Sequence, residues 1–218
     1  MIEDKINEII NELPSNVQLI AVTKTYPAEI INEAIDAGVT DIGENKVQEI
    51  LSKYDDVKPV RWHFIGHLQT NKVKQIVDKV YMIQSVDSLH LAEEINKRSA
   101  AINRCVNVLI QVNAAGEEQK SGIEPEGVLD LANAISSMSN LKLRGLMFIA
   151  PAADNPEDVR VYFRQVKAIF DELKPKFGLE FNTLSMGMSN DYMVAVQEGA
   201  TCVRVGSKIF GARDYSKA

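Results

Sequence analysis

The sequence predicts an α/β protein built as one (β/α)8 TIM barrel, residues 1–218, with an extra helix at its N-terminus. Three observations predict it. Short apolar runs alternate with helical patterns eight times, which implies parallel strands joined by helical crossovers. The runs are apolar almost throughout, as expected of strands buried on both faces. Eight such units in 218 residues suit a closed barrel, which often forms one domain of about 200–250 residues. An open doubly wound sheet lacks its marker, since no G-x-G-x-x-G follows the first run.

The elements follow in order. Ile2, Ile6, Ile9, Ile10 and Leu13 recur at helical spacing, and Pro14 ends that helix. Residues 17–22 form the first strand, and Pro27 opens a helix with Ile30, Ile31, Ala34 and Ile35 on one face, closed by Gly38. Residues 40–43 form a second strand, with Val47, Ile50, Leu51 and Tyr54 marking its helix. Residues 61–65 and 80–84 form the third and fourth strands, with helices over 71–77 and 89–98. Residues 105–112 read as the longest and most apolar strand, and Pro125 opens the helix that follows. The sixth strand spans 141–149 and its helix 159–173. Residues 181–185 and 201–205 complete the barrel, with helical stretches at 192–197 and 209–210. No linker, repeat or low-complexity segment interrupts the pattern.

Composition narrows the function classes. The chain is 45% hydrophobic and 25% charged, with a net charge of −6 and no basic block, which argues against a nucleic-acid surface. Cys105 and Cys202 lie within apolar runs and read as small buried hydrophobes in a reducing compartment. The N-terminus lacks the cationic and apolar regions of a signal peptide. No uncharged apolar run approaches the roughly 18 residues of a membrane span. The expected location is the cytoplasm.

Barrels place their chemistry at the C-terminal ends of the strands and often hold a phosphate in the loops after strands seven and eight. There the polar residues converge. Lys24 follows strand one, Gly43-Glu44-Asn45 ends strand two, and His63 with Gly66-His67-Leu68-Gln69 surrounds the end of strand three. Ser185-Met186-Gly187-Met188-Ser189 follows strand seven, and Arg204-Val205-Gly206-Ser207 ends strand eight. A lysine at the mouth of a rigid sheet is how a protein offers an amine to a carbonyl, once desolvation or a nearby cation lowers its pKa from about 10.4. Ser189 and Ser207 each read as a helix start, where backbone N–H groups suit an anion, although a serine at such a place also serves as an ordinary cap. His63 and His67 are four apart, a metal spacing only on one helix face; here the intervening residues leave a strand, and no metal is expected. The loop 116–122 after strand five is too long for a minimal turn and reads equally as a solvated turn, a lid or a partner surface.

Together, Ala21-Val22-Thr23-Lys24, Gly43-Glu44-Asn45, His63-Phe64-Ile65-Gly66, Ser185-Met186-Gly187-Met188-Ser189, Arg204-Val205-Gly206 and Ile209-Phe210-Gly211 resemble the pyridoxal phosphate homeostasis proteins, single-domain relatives of the alanine racemase barrel. The resemblance runs from about Val17 to Tyr215. It implies that Lys24 holds pyridoxal 5′-phosphate (PLP) as a Schiff base, an internal aldimine. It implies that Ser189, Gly206 and Ser207 hold the phosphate, that Arg204 faces the pyridine nitrogen, and that Asn45 lies near the cofactor; His63, Ser185 and Met188 complete the expected binding set. An arginine cannot give up its proton, so the ring nitrogen would stay unprotonated and the ring would be a weak electron sink. The racemases carry a second, β-rich domain with a catalytic tyrosine. This chain has no sequence past the eighth unit to build one, which leaves Tyr26, Tyr192 or Tyr215 as substitutes. The expectation is a monomeric carrier acting in vitamin B6 and amino-acid homeostasis, with PLP-requiring apo-enzymes as possible recipients and no certain catalytic residue. The alternatives are a weak PLP-dependent amino-acid racemase and, further off, a Schiff-base aldolase using Lys24 on a sugar phosphate. Whether Lys120 also reacts with the aldehyde is a further question.

Overall fold

The computed structural model describes residues 1–117 and 121–211. Eight parallel strands close into a barrel in sequence order: β1 (Gln18–Val22), β2 (Asp41–Glu44), β3 (Arg61–Phe64), β4 (Met82–Val86), β5 (Val106–Val112), β6 (Leu141–Phe148), β7 (Thr183–Ser185) and β8 (Cys202–Val205). The helices form the outer ring: α1 (Ile2–Glu12), α2 (Ala28–Asp36), α3 (Val47–Lys53), α4 (Val73–Ile76), α5 (Leu89–Ala101), α6 (Val128–Ser136), α7 (Arg160–Phe177), α8 (Tyr192–Gln197) and α9 (Ser207–Phe210). The predicted fold class and the additional N-terminal helix are thus both present.

Most of the apolar core lies between the strands and the helices. Ile31, Ile50, Ile76, Ile95, Ile135 and Phe163 project inward from successive helices onto Ile42, Phe64, Ile83, Val108 and Leu146, the spacing that gave the helices away in the sequence. A smaller cluster, Met82, Leu109 and Met147 with Tyr81 and Ile149 beside it, packs separately. Side chains alternate across a strand, so Met82 shares the inner face of β4 with the buried polar Gln84. Among the described residues no helix is long and apolar enough to cross a membrane.

Four expectations are corrected. The fourth strand starts at Met82 rather than at residue 80, because the Val80 amide closes the preceding helical turn onto Ile76 O at 3.0 Å. β6, with 8 residues, exceeds β5, with 7. The long helix runs past residue 173 to Phe177. Pro175 falls in its last turn, where its missing N–H interrupts the helical ladder just before Gly178, at φ 80°, ends the helix. Cys105 is exposed, since it precedes β5 instead of lying in it, whereas Cys202 is buried.

Candidate functional site

The mouth of the barrel begins at β1. Thr23 still pairs with the sheet, its N–H donating to Gly43 O at 3.0 Å; Lys24 and Thr25 then form a turn. Thr25 has φ 72°, an outlier for a β-branched residue that persists only where its surroundings enforce it. They do. The Thr25 N–H donates to Glu49 Oε2 at 2.6 Å, and Lys53 Nζ reaches Thr23 O at 3.2 Å and Tyr26 O at 3.0 Å. Lys53 is itself held by Glu44 Oε1 at 2.8 Å and Glu49 Oε2 at 3.5 Å, while Thr23 Oγ1 donates to Glu44 Oε1 at 2.6 Å. A lysine and two glutamates thus clamp the turn that presents Lys24. Burial pushes the Glu44 carboxyl up to about 7, against the pull of Lys53 and Thr23.

Lys53 is a functional residue that the sequence reading passed over. Its position three residues after Ile50 places it on the buried face of α3, and a lysine there needs a partner. That spacing is the signal that marks it.

Beside the turn, Asn45 follows β2, and its Oδ1 is buried with no hydrogen-bond partner among the described residues, a state that costs free energy unless a ligand supplies a donor. Gly66 makes this arrangement possible: a Cβ there would lie 2.1 Å from Asn45 O.

The loops after β7 and β8 form the second part of the mouth. Ser207 starts α9 as expected, but Ser189 does not start a helix, because α8 begins at Tyr192. The Ser189 hydroxyl instead bridges the two loops, accepting from Gly206 N at 3.2 Å and Lys208 N at 3.4 Å. Two backbone N–H groups converging on one oxygen are the donor set an anionic oxygen takes. Met188, Ser189, Asn190, Asp191 and Ser207 line a cavity of about 260 Å³ there, closed by Pro151 and Ala152 from the loop after β6. Met188 N donates to Asp191 Oδ1 at 2.6 Å, which shapes the loop. β1 and β8 are paired neighbours, and a Cβ on Gly206 would lie 3.3 Å from Val22. Lys24 and the loops joined by Ser189 therefore share one edge of the mouth.

Arg204 points into the barrel, buried, with NH1 donating to Ser185 Oγ at 2.7 Å and NH2 to Phe148 O at 2.8 Å. His63 lies deeper, between Asp41 Oδ1 at 2.8 Å and Gln84 Nε2 at 3.1 Å. The structure brings Lys24, Asn45, Met188, Ser189, Gly206 and Ser207 to the rim, and places Ser185, Arg204 and His63 in the barrel interior. Asp41 and Gln84 are buried polar residues within apolar runs that the sequence reading did not single out, although such a residue in a strand signals a paired interior group. His67 is on the surface, with Ser121 Oγ 3.1 Å from its Nδ1, so the two histidines do not converge. Among the described residues no group of three His, Cys, Asp or Glu side chains could hold a metal ion.

Two of the three tyrosines considered as acid–base groups are engaged elsewhere. Tyr26 OH donates to Gly211 O at 3.3 Å and its ring packs at a tilt against Phe210; Tyr192 OH joins Glu12 and Lys208. Tyr215 and Lys120 lie outside the described residues, as does the tip of the 116–122 loop.

Residues 1–214 match the family model for the alanine racemase N-terminal domain. A pyridoxal phosphate homeostasis protein from Aquifex aeolicus is 48% identical over 200 residues, covering 91% of this chain and 88% of that protein. The chain belongs to the pyridoxal phosphate homeostasis protein family. Among solved structures, that of PipY from Synechococcus elongatus PCC7942 without PLP has a TM-score of 0.91 at 36% identity, covering 97% of this chain and 100% of that one. PipY with PLP bound has a TM-score of 0.88 at 35% identity, with the same coverage. The family's barrel is thus matched over nearly its whole length.

Proposed function

We propose that this protein binds pyridoxal 5′-phosphate, holding it covalently as a Schiff base on Lys24, and acts in PLP and amino-acid homeostasis as a carrier. One observation carries the reading: an amine on a clamped turn lies on the same edge of the mouth as two backbone N–H groups gathered on one oxygen. When bound, PLP supplies an aldehyde that combines reversibly with amines. In this reading the chain's residues divide the work. Lys24 offers the amine. Ser189 and Ser207, which line the cavity of about 260 Å³, take the phosphate together with the neighbouring Gly206. Asn45, whose Oδ1 lacks a partner, and Met188 border the ring, and Arg204 meets its nitrogen. His63 and Ser185 act from within the barrel. PipY, 35% identical, has been solved with PLP bound, which supports the choice of cofactor.

Among the described residues, Tyr26 and Tyr192 favour the carrier reading over a racemase, since they spend their hydroxyls on Gly211, Glu12 and Lys208. The reading extends to a single-domain protein that works as a monomer in the cytoplasm and passes its cofactor to PLP-requiring apo-enzymes.

The test is spectroscopic. Purified protein with PLP should show a visible absorption band that borohydride abolishes, and mass spectrometry of the reduced digest should find the added mass on Lys24. Lys24→Ala should lose both signals. A modified lysine elsewhere would refute the assignment, and amino-acid enantiomer interconversion above about 1 per second would make the protein an enzyme.

A further inference from the structure

The interior of a (β/α)8 barrel is ordinarily filled by Val, Ile and Leu. Here it holds an unbroken line of polar side chains running from the bottom of the barrel to the mouth. Arg61 NH2 donates to Asp41 Oδ2 at 2.6 Å. Asp41 Oδ1 lies 2.8 Å from His63 Nε2, and His63 Nδ1 lies 3.1 Å from Gln84 Nε2. Gln84 Oε1 accepts from Ser185 Oγ at 2.7 Å, and Ser185 Oγ accepts from Arg204 NH1 at 2.7 Å. Asp41, His63, Gln84 and Ser185 are fully buried and Arg204 nearly so.

The chemistry of the two ends fixes every hydrogen in between. Arginine only donates, so Ser185 must accept from Arg204 and give its own hydrogen to Gln84 Oε1. The Gln84 amide is thereby oriented, with its NH2 facing His63 Nδ1, which must be bare. His63 then carries its hydrogen on Nε2 and donates it to Asp41, an ionised carboxylate that only accepts. The charge states agree with this direction. Burial holds His63 below the usual histidine range despite Asp41. For Asp41, burial is outweighed by bonds from His63, Arg61 and Thr40, which bring it to about 2. A second hydrogen on His63 would set two donors against each other at Gln84. One arrangement satisfies all five links, and hydrogen bonds in such a line polarise one another.

We propose that Gln84 and His63 are positioning residues which, through Ser185, lock the guanidinium of Arg204 in the orientation that meets the cofactor's ring nitrogen. This rests on the reading that PLP occupies the mouth with its ring nitrogen toward Arg204. The Phe148 carbonyl fixes one side of the guanidinium; the polar line fixes the other. Only the second is made of side chains that can be altered singly.

The experiment loads the full-length protein with PLP labelled with ¹⁵N in its ring and records three signals: the ring ¹⁵N resonance, the borohydride-trapped adduct on Lys24, and the Kd for PLP. Arg204→Met supplies the reference for a ring nitrogen without its arginine. Gln84→Met and Ser185→Ala should keep the trapped adduct, displace the ring resonance toward that reference, and weaken PLP binding about tenfold, the scale of one hydrogen bond to a charged group. Ser185→Thr, which retains the hydroxyl, should restore the native resonance. Should Gln84→Met fail to fold, as judged by circular dichroism, Ser185→Ala removes a single oxygen and decides the matter. A native resonance with Kd within about twofold of the parent in either folded variant overturns the proposal. So does an unchanged resonance in Arg204→Met with the adduct intact. Absence of any adduct in the parent protein instead refutes the cofactor reading itself.

Discussion

The two halves of the mouth are built in opposite ways. The turn carrying Lys24 is held by buried charge: Lys53 bridges Glu44 and Glu49 while gripping two backbone carbonyls, and Thr25 is kept at φ 72°. The nest after β7 and β8 is held by backbone, with the Ser189 hydroxyl touching two N–H groups at 3.2 and 3.4 Å. The difference teaches what each half must do. In the proposed function Lys24 forms a covalent bond and has to be aimed, which a lysine on a relaxed turn is not. A seat for an anion needs only donors, which the backbone supplies without structural strain.

The comparison predicts that damage to the first half unfolds the protein, while damage to the second only loosens its ligand. The largest effect belongs to Lys53→Met, which leaves Glu44 buried without its cation; stability should fall by about 3–5 kcal/mol in urea unfolding. A loss below about 1 kcal/mol would mean that the clamp is dispensable. Next comes Glu44. Its folded pKa is raised from 4.5 to about 7, so between those values the native state binds more protons than the unfolded chain, and its contribution to stability declines as pH rises through that window. Glu44→Gln removes this dependence. The parent should lose up to about 3 kcal/mol relative to the variant between pH 4.5 and 7, and parallel pH profiles of unfolding would contradict it. Gly66→Ala forces a methyl against Asn45 O and should cost about 1–3 kcal/mol, with weaker PLP binding by fluorescence titration because Asn45 is displaced. The smallest stability change is expected for Ser189→Ala. It should move the unfolding midpoint by no more than about 1 kcal/mol yet raise the Kd for PLP several-fold; a large stability loss there would erase the distinction between the halves.

What the sequence made legible follows the same division. Lys24, Arg204, Gly206 and Ser207 could be placed because each sits at or near the end of an apolar run, and the barrel rule assigns strand ends to the mouth. The strands themselves were visible as apolar runs between turn residues, with errors confined to their ends. Val80 illustrates why: its side chain is as apolar as a strand residue, but its amide is already taken by Ile76. Lys53 and the line from Asp41 to Ser185 were not legible as partners, because their pairing joins residues that are distant in sequence and adjacent only once strands have closed. Ser189 reads in the sequence as a helix start for a similar reason. Its true partners, Gly206 and Lys208, lie seventeen and nineteen positions later, and no local pattern reports them.

A last consequence comes from where the barrel closes. The first and last strands meet at β1–β8, and that junction is fastened from outside by Glu12 of α1 reaching Tyr192 and Lys208. Lys24 follows β1 and Gly206 follows β8, so the two come to this join from opposite ends of the polypeptide. Under the proposed function, ligand capture therefore needs both ends of the polypeptide in place, because neither β1 nor β8 alone supplies both halves of the mouth.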